Sequence, residues 1–278
     1  MKIGSTGRVV VAVTARILPT VLVAEAGLCV VRALVPASAL EGTGDFVGNF
    51  LQTLATIYAV LLAFVVFVVW SQFNDARSLI EREANELLDL YRTARSLPTG
   101  VSRSLCTHVA AYVEEVLTYE WDQMAKVSPA PLVKGTATLE AVWDELSLFE
   151  PRTDREGIVL GELLSRYNDV SDLRSQRVSA SQVRIPLALR IFIYTGAAMN
   201  VASLYLVAVQ SFAVHALTTA ALAGALAHVL YVVHDLDNGF SGDWQIPRAA
   251  FERVAGYVDR CDALQKSSPL ESDHVPPA

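Results

Sequence analysis

The sequence predicts an all-α fold: an integral membrane protein with four transmembrane helices and a cytoplasmic helical domain. Residues 46–74 carry no formal charge, and this run exceeds the ~20 apolar residues that cross a ~30 Å hydrocarbon core as a helix. Residues 191–234 form a second uncharged run, which would be ~66 Å long at helical rise and must therefore fold back into two spans. The chain is 53% hydrophobic and 18% charged, a composition that favours membrane spans combined with a water-exposed part.

The first predicted span, residues 17–35, is less regular than the others. Glu25 lies near its centre, and Arg16 and Arg32 mark its ends. A secretory signal peptide is the alternative, since a basic start, an apolar stretch and the small residues 37–39 imitate its three regions. The apolar stretch is longer and more interrupted than the ~7–15 residues of a signal-peptide core, so we expect a span.

The third and fourth spans are predicted from the second uncharged run. The polar pair Gln210-Ser211 is the natural break, leaving residues 191–209 and 212–233 as two helices joined by a tight turn. Pro186 suits the first turn of the earlier helix, where its missing N–H is not needed.

The region between the second and third spans has the pattern of soluble amphipathic helices. The second transmembrane helix continues beyond the membrane as one apolar stripe, ended by residues 97–100, and three further helices are expected at about 102–124, 138–149 and 157–182. The predicted organisation is residues 1–71 for spans one and two, 72–185 for the cytoplasmic domain, 186–234 for spans three and four, 235–266 for a cytoplasmic segment, and 267–278 for a disordered tail.

Positive charge predicts the orientation. Arginines precede the first and third spans and follow the second and fourth, so they fall on one side of the membrane, and Arg32 is the single exception. The positive-inside rule then places both termini and the central region in the cytoplasm, which predicts a multi-pass protein of a bacterial inner (plasma) membrane.

The charge and the cysteines restrict the function classes. A formal net charge of -7 gives no basic footprint for phosphate backbones, so we expect no nucleic-acid partner. Cys29, Cys106 and Cys261 are too few and too scattered for a disulfide framework or a metal site, and they indicate a reducing compartment. The lipid bilayer is the expected partner of the apolar runs.

No catalytic signature is found in the sequence, because the usual hydrolase, zinc-protease, Walker and dinucleotide motifs are all absent. We therefore expect no enzyme activity, no cofactor and no metal site. His215, His228 and His234 lack the i,i+4 spacing that places two metal ligands on one helix face, which favours packing or interfacial roles.

Four carboxylates follow the second span and are predicted to form a solvated helix face. Two i,i+4 pairs, from Arg77 to Glu81 and from Arg82 to Glu86, would support it. The four residues are Glu81, Glu83, Glu86 and Asp89.

Glu25 is a candidate intramembrane ion or proton site. An ionisable side chain at membrane depth faces protein or water rather than lipid. The alternative is a carboxyl that is protonated or paired with a polar group between helices.

A row of four residues on the second span is the candidate pore lining. Gln52, Thr56, Val60 and Phe64 recur every four residues. Around a symmetric axis they would place polar groups at the mouth and an apolar ring deeper in, as in a pore that gates by dewetting. Spacing alone favours the alternative, ordinary helix packing, since any helix offers such a row.

Several short motifs resemble bacterial bestrophin-like membrane proteins, over most of the chain. More remotely, Leu62-Ala63-Phe64 followed by Trp70 and Ala76-Arg77 is similar to the pore helix of bestrophin ion channels, and residues 238–243 resemble the segment after their last span. The motifs are Tyr58-Ala59-Val60-Leu61-Leu62-Ala63-Phe64 with Trp70, Glu83-Ala84, Leu90-Tyr91-Arg92, Leu97-Pro98, Glu120-Trp121 with Met124, His215-Ala216, and Leu236-Asp237 before Phe240 and Gly242.

This resemblance implies four spans, cytoplasmic termini, a helical cytoplasmic region and a homo-oligomer, a pentamer, around a pathway for small inorganic ions. The family's pore constriction would fall on Thr56, Val60 and Phe64. Thr56 is polar where the family has an apolar residue, and Ala63 replaces a usual glycine. The calcium-binding acidic run of animal bestrophins is reduced here to Asp243 with Asp235 and Asp237, so calcium gating is not expected.

The sequence therefore predicts an oligomeric ion channel of bestrophin-like type, with its axial pore lined by the second transmembrane helix. A non-conducting membrane scaffold or signalling protein, with a partner-binding cytoplasmic helical domain, is the main alternative, because no ring of charged side chains lies on the predicted pore face. An ion- or proton-coupled transporter using Glu25 is a third possibility.

Overall fold

The computed structural model describes residues 3–36, 40, 44–126 and 133–267. Within these ranges the chain forms nine α-helices and no strand, which confirms the predicted all-α class. The helices are α1 (Ile3–Leu34), α2 (Gly44–Ala94), α3 (Thr99–Glu115), α4 (Trp121–Ala125), α5 (Val133–Leu148), α6 (Asp154–Gln182), α7 (Leu187–Tyr205), α8 (Phe212–Leu236) and α9 (Ala249–Ser267). Of the tail predicted to be disordered, Ser267 ends α9 and residues 268–278 lie outside the described residues.

The chain divides into two compact units. The first, called the membrane unit, comprises Met1–Gln72 and Arg184–Asp237. The second comprises Phe73–Val183 and Asn238–Ala278 and is called the cytoplasmic unit, after the location that the charge pattern predicts for it. Four helices in the described part of the chain are long and apolar enough to cross a membrane, namely Thr14–Leu34 within α1, together with α2, α7 and α8. The four predicted spans are thereby confirmed.

The hairpin between the last two spans differs from the prediction. Helix α7 begins at Leu187 and ends at Tyr205, four residues earlier at each end than expected from hydropathy. Pro186 precedes the first turn with φ −53°, which is preorganised for a helix start. The Ser211 hydroxyl accepts a hydrogen bond from the Val214 N–H and caps α8. Residues 206–211 therefore form a loop although most of them are apolar.

Arg32, the exception in the charge pattern, has a structural role at this hairpin. Its guanidinium donates a hydrogen bond to the Val209 carbonyl and lies 5.7 Å from the ring centre of Phe212. A carbonyl of an irregular loop needs a donor near hydrocarbon, because no water satisfies it there. Arg32 supplies that donor at the end of α1.

Small residues let the spans approach closely. The Tyr58 ring of α2 lies against Gly196 of α7, where an added Cβ would lie 2.5 Å from a ring carbon. The Tyr58 hydroxyl donates to the Ile193 carbonyl at 2.8 Å. Such close approach favours helix association in lipid, where burial of apolar surface gives no driving force.

The core of the cytoplasmic unit is apolar and contains one buried ionic cluster. Arg177 donates from Nε to Glu83 at 2.6 Å and from Nη2 to Glu120 at 2.7 Å. Arg174 donates to the other oxygen of Glu120 at 2.7 Å, and the Tyr112 hydroxyl donates to Glu83 at 2.6 Å. Two carboxylates and two guanidinium groups balance, so no net charge is buried.

Burial and charge act in opposite directions on Arg177. Burial alone would lower the pKa of its guanidinium, but the negative charges of Glu83 and Glu120 reverse this, so the pKa lies above its usual value. Burial raises the pKa of Tyr112 well above its usual value, and the Glu83 charge adds to this. Tyr112 therefore remains a neutral donor to the cluster.

A π-helical turn, Val116–Glu120, joins α3 to α4 and brings Glu120 into the cluster. Such a turn inserts one extra residue and rotates the residues that follow it relative to those before. Glu120, Trp121 and Met124 are all buried as a result. The helix predicted for residues 102–124 is therefore continuous, but it contains a π turn that the sequence did not predict.

The structure contradicts the prediction that Glu83 belongs to a solvated face, because this side chain is fully buried. The other carboxylates of the set are partly exposed, and each has an ion pair to another helix. Asp89 also pairs along α2, with Arg92 at 3.4 Å. Arg166 of α6 contacts Glu86 at 3.0 Å, and Arg253 of α9 contacts Glu81. Helix periodicity placed all four carboxylates on a polar side, whereas α2 is covered on several sides in this unit.

The segment after α8 packs on the same core. Phe240 contacts the Trp121 ring edge to face at 5.7 Å, and the Asn238 amide donates to the Ala125 carbonyl at 3.1 Å. Gly242 has φ 90°, a conformation that favours glycine. The aromatic residue of this motif therefore packs on the core, and the glycine allows the backbone conformation.

Replacing Glu83 with Gln should destabilise the cytoplasmic unit strongly. The change leaves Arg177 with one carboxylate in a buried setting, and breaking a buried ion pair costs ~3–5 kcal/mol. The control is Glu81→Gln on the same helix, whose partly exposed pair with Arg253 should cost under ~1 kcal/mol. Urea unfolding of the detergent-solubilised variants measures both changes. Equal losses in the free energy of unfolding would show that burial of the cluster does not increase the cost of removing a carboxylate.

Candidate functional site

The predicted pore residues share one exposed face of α2. Val60 is 66% exposed and Phe64 60%, and Gln52 and Thr56 are exposed as well. On the other side of the helix, Tyr58, Leu62, Val65 and Val69 are buried within the membrane unit. The row therefore does not pack inside a single copy of the chain, which was the main alternative from spacing.

Polarity along this face falls from one end to the other. Gln52 carries an exposed amide, which is costly to place against hydrocarbon. The Thr56 hydroxyl donates to the Gln52 carbonyl at 2.8 Å, so its own helix satisfies it and the methyl group adds to the apolar surface. Val60 and Phe64 then follow with no polar side-chain atom, and Phe64 is the largest side chain of the row.

The face is broader than the four predicted residues. Ile57, Leu61 and Phe67 are also exposed, and they lie on either side of the row on the helical surface. An apolar face this wide needs lipid or another protein surface to cover it. Sequence periodicity found the centre of this face but not its edges.

Glu25 lies apart from the row, in the packing between α1 and its neighbours. Its Oε1 atom is buried and makes no hydrogen bond. The nearby Tyr205 hydroxyl donates instead to the Ala24 carbonyl at 2.7 Å. Glu25 therefore stands on α1, whereas Gln52, Thr56, Val60 and Phe64 stand on α2.

The histidines of α8 occupy different environments. His215 is buried, and its Nε2 lies 3.0 Å from the Leu204 carbonyl oxygen, linking α8 to the end of α7. His228 and His234 are exposed. In the described part of the chain, no three His, Cys, Asp or Glu residues are grouped so that they could hold a metal ion.

Asp237, part of the acidic segment compared with calcium sites, has protein partners. Its carboxylate accepts from the Ile185 N–H at 2.7 Å and from Arg190 at 2.8 Å. These bonds tie the end of α8 to the start of α7. The geometry gives this carboxylate a structural role at the junction of the two helices.

The buried ionic cluster is the main feature that sequence reasoning missed. Its signal was present, since Arg177 follows Leu163 and Val170 at seven-residue spacing along α6. That spacing places an arginine on the buried stripe of the helix. A charge on a buried stripe requires a partner, and the carboxylates of α2 and the π turn supply it.

Four spans and a second helical unit place the chain among multi-span α-helical membrane proteins that carry a separate helical domain. The sequence matches the Bestrophin-like domain family over residues 18–251. The chain therefore belongs to the Bestrophin-like family, which confirms the resemblance found in its motifs. Comparison with curated protein sequences gave no significant match.

Solved structures show the same fold. A bacterial bestrophin homologue from Klebsiella pneumoniae, solved by zinc phasing, is similar with a TM-score of 0.69 and 13% identity, over 89% of this chain and 99% of that one. Two point variants of the Klebsiella homologue give TM-scores of 0.69 and 0.68 at 13% and 14% identity. They cover 91% and 90% of this chain and 99% and 98% of theirs.

A cysteine at position 60 should cross-link to its own copy if the row surrounds a shared axis. In a cyclic ring, only residues near the axis meet the same residue of a neighbouring copy. We expect Val60→Cys, with Cys29, Cys106 and Cys261 replaced by Ala, to form disulfide dimers in oxidised membranes. Leu217→Cys on α8 is the control, since it is 71% exposed and should stay monomeric on denaturing gels. Cross-linking only at position 217 would exclude a shared axis surrounded by the α2 row.

Proposed function

We propose that the protein is an oligomeric ion channel of bestrophin-like type. Several copies, five by analogy with the family, would surround an axis lined by Gln52, Thr56, Val60 and Phe64. The single observation that carries this proposal is the exposed face of α2 in a chain of this family. A face that is apolar but begins with an exposed amide suits a pore that is wet at its mouth and narrow inside.

The proposed gate is an apolar constriction. Rings of Val60 and Phe64 side chains would hinder ion passage, because water readily leaves a narrow apolar space. An ion that enters this space would have to give up part of its hydration shell. No charged side chain lies in the row, so discrimination would depend on hydration and ion size more than on the sign of charge. Small inorganic ions are the expected cargo, and no enzymatic step or cofactor is required.

The proposed orientation follows the arginines. Both termini and the cytoplasmic unit would lie on the cytoplasmic side of a bacterial inner membrane, as the positive-inside rule favours. Arg32 is compatible with this orientation, because its hydrogen bond to Val209 gives it a structural role on the other side.

Removing the Phe64 ring should raise conductance. Phe64→Ala widens the proposed constriction and lowers its barrier to hydrated ions. Planar-bilayer recordings of purified protein measure the effect, which we expect to be severalfold in current. Phe192→Ala is the matched control, since this residue is an exposed phenylalanine on α7, outside the proposed pore, and its loss should leave the current unchanged.

Silent recordings from wild type and Phe64→Ala would overturn the channel proposal and favour a scaffold. One observation supports that second candidate: Leu148 and Ile158 of the cytoplasmic unit are 81% and 76% exposed, as expected of residues that bind a partner. A stoichiometric protein that copurifies with wild type but not with Leu148→Ser would identify this function.

Glu25 is proposed as a proton site only in the transporter alternative. The observation behind this role is its buried carboxyl oxygen, which makes no hydrogen bond. If protons are coupled to transport there, Glu25→Gln should abolish the dependence of ion flux into proteoliposomes on an imposed pH gradient. Unchanged coupling would remove Glu25 from the mechanism, and wild-type flux without pH dependence would remove the transporter alternative.

A further inference from the structure

Helices α1, α7 and α8 line a cavity of about 500 Å³ within the membrane unit. Its floor is formed by buried apolar residues from all three helices, including Ala24, Ala197, Ala223 and Leu230. Val23 of α1 is also part of the lining and is 73% exposed. The cavity is therefore a cleft that opens sideways between helices rather than a closed void, and its volume lies within the ~300–1,000 Å³ of ligand sites.

The cleft is about one leaflet deep. Its lining on α8 runs from Ala223 to His234, eleven residues apart, which corresponds to ~16 Å of helix. This is about half of a ~30 Å hydrocarbon core. On α8, and on α1 from Arg16 to Ala24, the lining thus extends from one end of the span to about its middle. Tyr205, at the end of α7, completes the lining there, since its hydroxyl donates to the Ala24 carbonyl.

The mouth of the cleft carries a positioned cation. The Arg16 Nη1 atom donates to the Tyr231 hydroxyl at 2.6 Å, and the Arg16 guanidinium carbon lies 5.2 Å from the centre of the Tyr231 ring. These contacts hold the guanidinium over the apolar walls. Among the described residues that line the cleft there is no carboxylate, so nothing in the lining opposes a bound anion.

We propose that this cleft binds an anionic phospholipid, with one acyl chain between α1, α7 and α8 and the phosphate at Arg16. The apolar walls match an acyl chain, the depth matches one leaflet, and the planar fork of guanidinium donors matches a phosphate. His234, also at the mouth, adds a second basic side chain beside the headgroup. The site is independent of the proposed pore, since it uses none of the four α2 residues.

Native mass spectrometry of the purified protein with added lipid tests this site. We expect wild type to retain phosphatidylglycerol in preference to phosphatidylcholine, and Arg16→Gln to lose about fivefold in phosphatidylglycerol affinity, as expected for one arginine at an anionic surface. Arg77→Gln is the matched control, since Arg77 is exposed and is not in the lining of the cleft. It should bind as wild type does.

A second variant acts on the walls rather than on the charge. Ala227→Leu fills the cleft while keeping Arg16, and it should reduce retention of both lipids severalfold. Equal phosphatidylglycerol affinity of wild type, Arg16→Gln and Ala227→Leu would overturn the proposal. Competition by inorganic phosphate that removes the headgroup preference at millimolar concentration would also overturn it, because the site would then bind an anion without a chain.

Discussion

The cytoplasmic unit depends on one interaction, the buried contact of Arg177 with Glu83 and Glu120. Charges removed from water are costly unless they are paired and fully hydrogen-bonded, so this cluster requires α2, α6 and the π turn to meet in one arrangement. Arg174 and Tyr112 complete it, and Phe251 of α9 packs on the Arg177 guanidinium at 5.7 Å. An apolar core tolerates small shifts between helices more readily than such a cluster does. The cluster therefore specifies which parts of these helices come together.

The same helix carries both the cluster and the proposed pore face, and the two parts of α2 differ in how they are covered. In the membrane unit one side of α2 is buried and the other side is exposed. The buried residues are Tyr58, Leu62, Val65 and Val69. In the cytoplasmic unit Ala84, Leu87, Leu90 and Tyr91 are buried with Glu83. A helix that is fixed firmly in one unit and exposed in the other can present its free face to further copies of the chain. The cleft at Arg16, where apolar walls end at a cation, is the site at which the membrane unit is proposed to bind a lipid.

Hydropathy and periodicity predicted much of the fold, because a bilayer imposes length and polarity on every segment that crosses it. The four spans and the helices of the cytoplasmic region follow from those constraints. Helix ends were predicted less well. The ends of α7 depend on Pro186 and on a loop whose Val209 carbonyl is satisfied by Arg32, a contact between distant parts of the chain. The start of α6 at Asp154 instead of 157 depends on the Thr153 cap, which accepts from the Glu156 N–H.

The sequence by itself determined that the chain is helical, that four segments suit a membrane, and that Gln52, Thr56, Val60 and Phe64 share one side of α2. These are properties of local composition and of helical geometry. Tertiary structure decided which sides are covered: it left the α2 row exposed, buried Glu83 against Arg177, and placed Arg16 over the Tyr231 ring. The physical reason is that burial and charge pairing depend on residues far apart in the chain, which periodicity within one helix does not identify.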